Sequence, residues 1–142
     1  MLHKRHKYDI IIILAVVNLA VSLFLAVSEA KGITVPCDLT GGCETVLSSK
    51  YSHIAGVPLA YLGVAFSAAL IVAALMANHY RLAKRLLTLL LAVGALSALG
   101  FLGIQFFVLR ALCQYCLTVD ILTIVMLLWD MNIEHLPHKF AE

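Results

Sequence analysis

The four cysteines of the chain fall into two pairs, Cys37-x5-Cys43 and Cys113-x2-Cys116. Pairs of this kind support thiol–disulfide exchange, in which a thiolate attacks a disulfide sulfur and a neighbouring thiol resolves the mixed disulfide. Cys113 and Cys116 stand at i and i+3, one turn apart on one face of a helix. A disulfide between them closes a very small loop, so it should exchange easily. Cys37 and Cys43 bracket Asp38-Leu39-Thr40-Gly41-Gly42, and the glycine pair lets that loop close or open a bridge. Two other uses compete. Four cysteines can bind zinc, although one pair here lies within an apolar segment. Both pairs can also be structural clamps, although an i, i+3 bridge adds almost no constraint to a fold.

The elements that must position these cysteines are apolar. The 142 residues are 63% hydrophobic and 13% charged, with a strongly positive mean hydropathy. Soluble domains are nearer about 45–50% apolar and 25% charged, so the chain is predicted to be an integral membrane protein in contact with lipid. The length suits one domain, 1–142. The few basic residues flank apolar segments, which excludes a nucleic-acid surface.

Taken in order, a basic start with Lys4, Arg5 and Lys7 precedes an apolar run over 10–27, about 27 Å long as a helix and close to a bilayer core. A cleaved signal peptide is the competing reading, but the run exceeds the usual apolar core of about 7–15 residues. Asn18 in its middle needs a partner, so that face should look into a bundle. Residues 29–56 form the only long polar stretch, and Pro36, Gly41 and Gly42 prevent one regular helix there. Within it, residues 44–51 predict a short helix with Val46, Leu47 and Tyr51 on one side, lying on the membrane surface over the site. Further spans are expected at about 57–77, 86–109 and 112–129. Pro58 falls in the first turn of the second, where its missing N–H does no harm, and Gly63 permits close helix contact. Gly94, Gly100 and Gly103 give the third a small-residue face.

Orientation follows from the basic residues. With four spans, Lys4, Arg5, Lys7, Arg81, Lys84, Arg85 and Lys139 share one side, and Lys31, Lys50 and Arg110 the other. The richer side, with both termini, should be cytoplasmic. All four cysteines then lie at the outer side of the membrane, where disulfides persist. The loop pair can meet a soluble protein. The helical pair, in lipid-like surroundings, can meet a lipid-soluble oxidant, which in a respiring membrane means a quinone. The expected relay runs from a soluble dithiol to Cys37/Cys43, then Cys113/Cys116, then the quinone.

The segments CDLTGGCETVLSS, GVPLAYLG and FFVLRALCQYC, in this order on four spans, resemble the vitamin K epoxide reductase family, nearest its bacterial and archaeal members. The resemblance covers nearly the whole chain from the first span to Trp129. It implies an all-α membrane protein, a four-transmembrane-helix bundle around a quinone such as ubiquinone or menaquinone, with an extracytoplasmic loop and short helix capping the redox site. It implies that Cys43 takes the mixed disulfide with a thioredoxin-like or DsbA-like partner, that Cys37 passes electrons to Cys113, and that Cys116 faces the quinone. The loop serine of the family maps to Ser49, with Ser48 beside it. Phe66 and Phe101 are the corresponding wall candidates for a quinone ring.

Departures from the family pattern also matter. Many bacterial members carry a fused thioredoxin-like domain after the fourth span. This chain ends at Glu142, so its thiol partner is expected to be a separate protein. Vertebrate members place an Asn in the second span where Leu59-Ala60 stands here, and a Tyr four residues after the last cysteine where this chain has Asp120. Both differences weigh against vitamin K epoxide as substrate and leave quinone reduction intact. Reduction of a quinone or its epoxide, with thiols as fuel, remains the alternative activity. An acid one turn inside a span usually faces the bundle interior. Asp120 could therefore feed a proton to the quinone, or simply bond a neighbour such as Gln105. His53, in the outer loop, could as a cation favour a thiolate, or be a surface histidine.

Overall fold

A computed structural model describes residues 2–37 and 41–135. Residues 38–40, between the first two cysteines, and residues 136–142, with Lys139, lie outside the described residues. Four long helices dominate: α1 (Leu2–Lys31), α3 (Leu59–Ala77), α4 (Arg81–Gly103), continued by a π-helical segment at Ile104–Leu109, and α5 (Gln114–His135). All four are long and apolar enough to cross a membrane. Between α1 and α3 lie the short helix α2 (Cys43–Leu47), a 3-10 turn at Lys50–Ser52, and an antiparallel ribbon of β1 (His53–Ile54) and β2 (Val57–Pro58). The architecture is the expected helical membrane bundle with a short-helix cap.

The local boundaries depart from the sequence reading. α1 runs one turn past the expected end of the first span and carries Glu29 and Lys31, so the loop begins at Gly32. Pro58 is not in the first turn of a helix. It closes the ribbon at φ −58° and ψ 138°, and α3 starts after it. Residues 44–51 are not one helix, because Ser48 and Ser49 break it: α2 ends at Leu47 and a separate 3-10 turn follows. α5 starts at Gln114, and residues 110–113 form a non-helical link, longer than the two residues left between the spans expected at 86–109 and 112–129.

The bundle has its polarity reversed relative to a soluble protein. Ile13, Leu89, Leu96 and Phe107 are well exposed, whereas Asn18, Ser22, Ser67, Gln105, Asp120, Thr123 and Asp130 are buried. An apolar exterior of this extent is stable only against lipid. Inside, Asn18 does find the partner it was expected to need: its Nδ2 donates to Thr123 Oγ1 of α5 at 3.1 Å. Nearer the other end, Thr88 Oγ1 donates to Asp130 Oδ2 at 2.6 Å. These two bonds tie α5 to α1 and to α4.

Small residues decide how closely α1 and α3 approach. A Cβ on Gly63 would stand 2.8 Å from Ser22 Oγ, whereas one on Gly100 would meet nothing within 4 Å. Gly94 also sits at a contact, against the Phe66 ring, but Gly100 and Gly103 face open space and do not form the packing stripe expected of them. Gly63→Ala should therefore lower the thermal stability of the detergent-solubilised protein by about 1–3 kcal/mol through overpacking. Gly100→Ala should be neutral, or stabilising by up to about 1 kcal/mol from reduced backbone freedom. Parallel melting curves of the two variants check both.

Candidate functional site

The site is built at the end of the bundle where the chain passes from α1 through the loop to α3 and again from α4 to α5. Cys37 and Cys43 are joined as a disulfide with their Cα atoms 6.0 Å apart, while Cys113 and Cys116 are free thiols. Cys43 and Cys113 are both fully buried and share one apolar cluster with Leu25, Val35 and Val46, against which Cys37, Cys116 and Tyr115 pack. The two pairs, remote in sequence, thus form one packed group.

The contact that seats the loop on the bundle is made by Gly42. A Cβ there would stand 2.7 Å from the backbone N and O of Leu112 and 3.1 Å from Ala111 Cβ. The glycine pair is therefore needed for more than loop freedom. Gly41 has φ +70° with open space around it, and Gly42 lets the loop lie directly on the link that carries Cys113. A second tether comes from Tyr115, whose hydroxyl donates to the Pro36 carbonyl at 2.5 Å and whose ring packs on Phe24 with centroids 5.4 Å apart. Pro36 directly precedes Cys37, so this bond ties the loop pair to the first turn of the helix that holds Cys116. On the other flank His53 Nε2 lies 3.0 Å from Glu29 Oε1, joining the ribbon to the end of α1. His53 is thus engaged with Glu29.

Cys113 is placed by the turn before it. The π-helical segment ends at Arg110, which adopts the left-handed region at φ +50°. A non-glycine residue held there costs on the order of 1–3 kcal/mol and persists where surrounding structure enforces it. Both Arg110 and Ala111 donate their N–H groups to the Gln105 carbonyl. The Gln105 side chain, itself buried, accepts from the Cys113 N–H at 3.0 Å through Oε1. Cys113 then precedes the helix instead of lying within it, and its Sγ accepts from the Cys116 N–H at 3.4 Å. The two sulfurs are still one turn apart, but the first stands in the capping position and the second in the first turn.

Beneath the loop, a cavity of about 320 Å³ opens between α1, α3, α4 and α5. Its wall is mainly apolar and includes Phe66, Phe101 and Leu59, with Cys116, Asp120, Gln105 and Ser49 as polar points. Ser49 Oγ donates to the Val46 carbonyl at 2.6 Å and faces this cavity, whereas Ser48 is exposed and bonds the Glu44 carbonyl. Asp120 does not bond Gln105, whose side-chain carbonyl already serves Cys113. Its Oδ2 is buried and has no hydrogen-bond partner in the structure. The eight residues singled out from the sequence therefore divide in two. Cys37, Cys43 and Cys113 form the packed group under the loop, and Cys116, Ser49, Phe66, Phe101 and Asp120 line the cavity below it. Gln105, Tyr115 and Gly42 were not among them.

Gly42→Ala should force the loop away from residues 111–112, because backbone atoms cannot yield as a flexible side chain would. The expected result is a loss of about 1–3 kcal/mol, with Cys113, buried in the wild type, becoming reactive to a maleimide while the loop disulfide remains formed. Mass mapping of the alkylated peptides checks this.

The profile of the Vitamin K epoxide reductase family matches residues 9–131, a stretch holding both cysteine pairs, the capping helix and the cavity, and the chain therefore belongs to that family of membrane redox proteins.

Proposed function

We propose that the protein is a thiol:quinone oxidoreductase that takes electrons from a soluble thioredoxin-like or DsbA-like protein and supports disulfide bond formation. The observation that carries this reading is the position of Cys116 in the wall of a largely apolar cavity, directly under the packed Cys37–Cys43 disulfide. The cavity volume falls within the usual range of small-molecule sites, about 300–1,000 Å³. Its few polar points suit a flat apolar ring with carbonyl oxygens, and the unpartnered Asp120 carboxyl and the Phe66 and Phe101 rings would hold one. A bound quinone would supply the terminal acceptor, taking up as quinol the two electrons and two protons that leave the cysteines.

The chain's own residues do the rest. Cys43 is buried in the resting structure, so the partner thiolate reaches it only when the loop shifts off the cluster; the attack then displaces Cys37 and leaves a Cys43–partner disulfide. The second partner thiol resolves that bond and departs oxidised, and the loop pair is left as two thiols. Once Cys113 and Cys116 have given up two electrons and two protons and stand as a disulfide, the Cys37 thiolate attacks Cys113 and displaces Cys116. Cys43 then attacks Cys37, which restores the loop disulfide and leaves Cys113 and Cys116 as the two thiols of the structure. Cys116 and Asp120, both in the cavity wall, would hand the electron pair and a proton to a quinone bound there. Ser49, bonded to the Val46 carbonyl, holds the end of α2 over the cavity. Leu59 in place of an amide side chain gives the cavity wall no donor at that point, which favours a quinone over its epoxide. Among the described residues, Lys4, Arg5, Lys7, Arg81, Lys84 and Arg85 lie toward the end remote from the cysteines, against Lys31, Lys50 and Arg110 at the cysteine end. By the positive-inside tendency the cysteines then face the extracytoplasmic side.

The relay makes each cysteine distinguishable. Cys37→Ser should accumulate a Cys43–partner adduct, Cys43→Ser should form none, and Cys116→Ser should stop quinol formation while partner exchange continues. Non-reducing gels with mass mapping check this, and equal turnover in quinone-stripped, oxygen-free detergent would refute the reading. Asp120→Asn should slow quinol formation by roughly 100-fold or more, the usual range for loss of a positioned acid. Single-turnover exchange with the partner should be unchanged, and stopped-flow absorbance separates the two steps.

A further inference from the structure

Among the described residues, the Thr88–Asp130 pair stands apart near the end remote from the cysteines, and most buried polar groups inside the bundle lie in the half that holds them. There Asn18, Ser22, Ser67, Thr123 and Asp120 are all buried. Asn18 and Ser67 lie one turn from Ser22 and Gly63, the two residues at which α1 and α3 touch, so they share one level of these antiparallel helices. Asn18 Oδ1, Ser67 Oγ and Asp120 Oδ2 are buried without hydrogen-bond partners. Dangling polar atoms grouped in this way are the usual setting of internal water. One cavity, with Asp120 and Thr123 in its wall, extends to Glu29 and Ser49 at the cysteine end.

The other half offers nothing comparable. Residues 10–17 of α1, 68–77 of α3, 89–96 of α4 and 124–129 of α5 contain no side chain able to carry a proton apart from the Trp129 indole. Their inward members Ile11, Ala15, Leu70, Ala74, Leu91 and Met126 are fully buried. The next polar pair, Thr88 and Asp130, lies beyond this layer. Thr123 and Asp130 are separated by about 10 Å along the helix axis, whereas proton transfer needs hydrogen-bond reach or one bridging water. Apolar packing of this kind stays dry.

From this asymmetry we infer that the protons consumed at the cavity are drawn from the same side of the membrane on which the dithiol releases its own, so that turnover moves no charge across the bilayer. The inference rests on the thiol:quinone reading above. The balance is complete: the partner dithiol loses two electrons and two protons as its S–S bond forms, and both electrons and both protons end on the acceptor as quinol. No proton need cross the apolar layer.

The test uses the full chain in sealed proteoliposomes containing a ubiquinone analogue, with a trapped pH dye and a potential-sensitive dye. Reduced thioredoxin is added outside, so that only molecules with outward cysteines react. The expected result is quinol formation with no lumenal alkalinisation, no potential, and a rate unchanged by an imposed potassium diffusion potential of either sign. Lumenal alkalinisation approaching two protons per quinol, or a potential that builds with turnover, would overturn the inference while leaving the thiol:quinone reading in place. Failure to form quinol in oxygen-free detergent as well would remove the reading and the inference together.

Discussion

A helix that begins at a membrane boundary must find partners for its first backbone N–H groups, because lipid offers none. In α5 that requirement is met by Gln105 and by the sulfur of Cys113. The rest of the site follows from this. Gln105 can reach Cys113 only because the π-helical segment and the left-handed Arg110 turn the chain back over it. The link so formed presents a bare backbone at Ala111-Leu112, on which only a glycine could rest, and Gly42 does so. The loop disulfide is thereby brought against the buried Cys113, and Cys116 is left one turn lower, facing the cavity.

The same end of the bundle is held by three bonds of different kinds. The Tyr115 hydroxyl takes the Pro36 carbonyl, His53 meets Glu29, and Asn18 meets Thr123. Each joins an element of the loop, or α1, to a different part of the frame. The loop is therefore fixed to the frame at its two flanks.

Much of this was legible in the residues. Continuous apolar runs announce spans because a bilayer demands them, and paired cysteines carry their chemistry in their spacing. Asn18 announced a partner because an amide in lipid needs one, though nothing in the order of residues said that the partner would be Thr123. What could not be read was set by tertiary contact. The six-residue π-helical segment has no composition of its own, since IQFFVL is equally good α-helix. The positive φ falls on Arg110, a residue type that gives no hint of it. Gly42 looked like a source of loop freedom because the surface beneath it is visible only once α5 is in place. Tyr115, inside the Cys-x-x-Cys motif, looked like a spacer, yet its hydroxyl reaches a carbonyl 79 positions earlier in the chain.

The buried polar side chains of α5 also bear on how the protein is made. This helix has the lowest mean hydropathy of the four spans, and it carries Asp120, Thr123 and Asp130 on its inner face. Alone in lipid it would expose two carboxyls at a cost of about 2.5–3.5 kcal/mol for each one near the centre. α1, the most apolar span, carries no such burden beyond Asn18. The last span of the bundle therefore depends on the earlier ones to leave the translocon stably: α4 must already offer Thr88 to Asp130 and α1 must already offer Asn18 to Thr123, while Asp120 gains removal from lipid and no bond at Oδ2. Biogenesis is then ordered from the first helix to the last, and a chain damaged in α1 would fail at the insertion of α5, well before any cysteine could meet its partner.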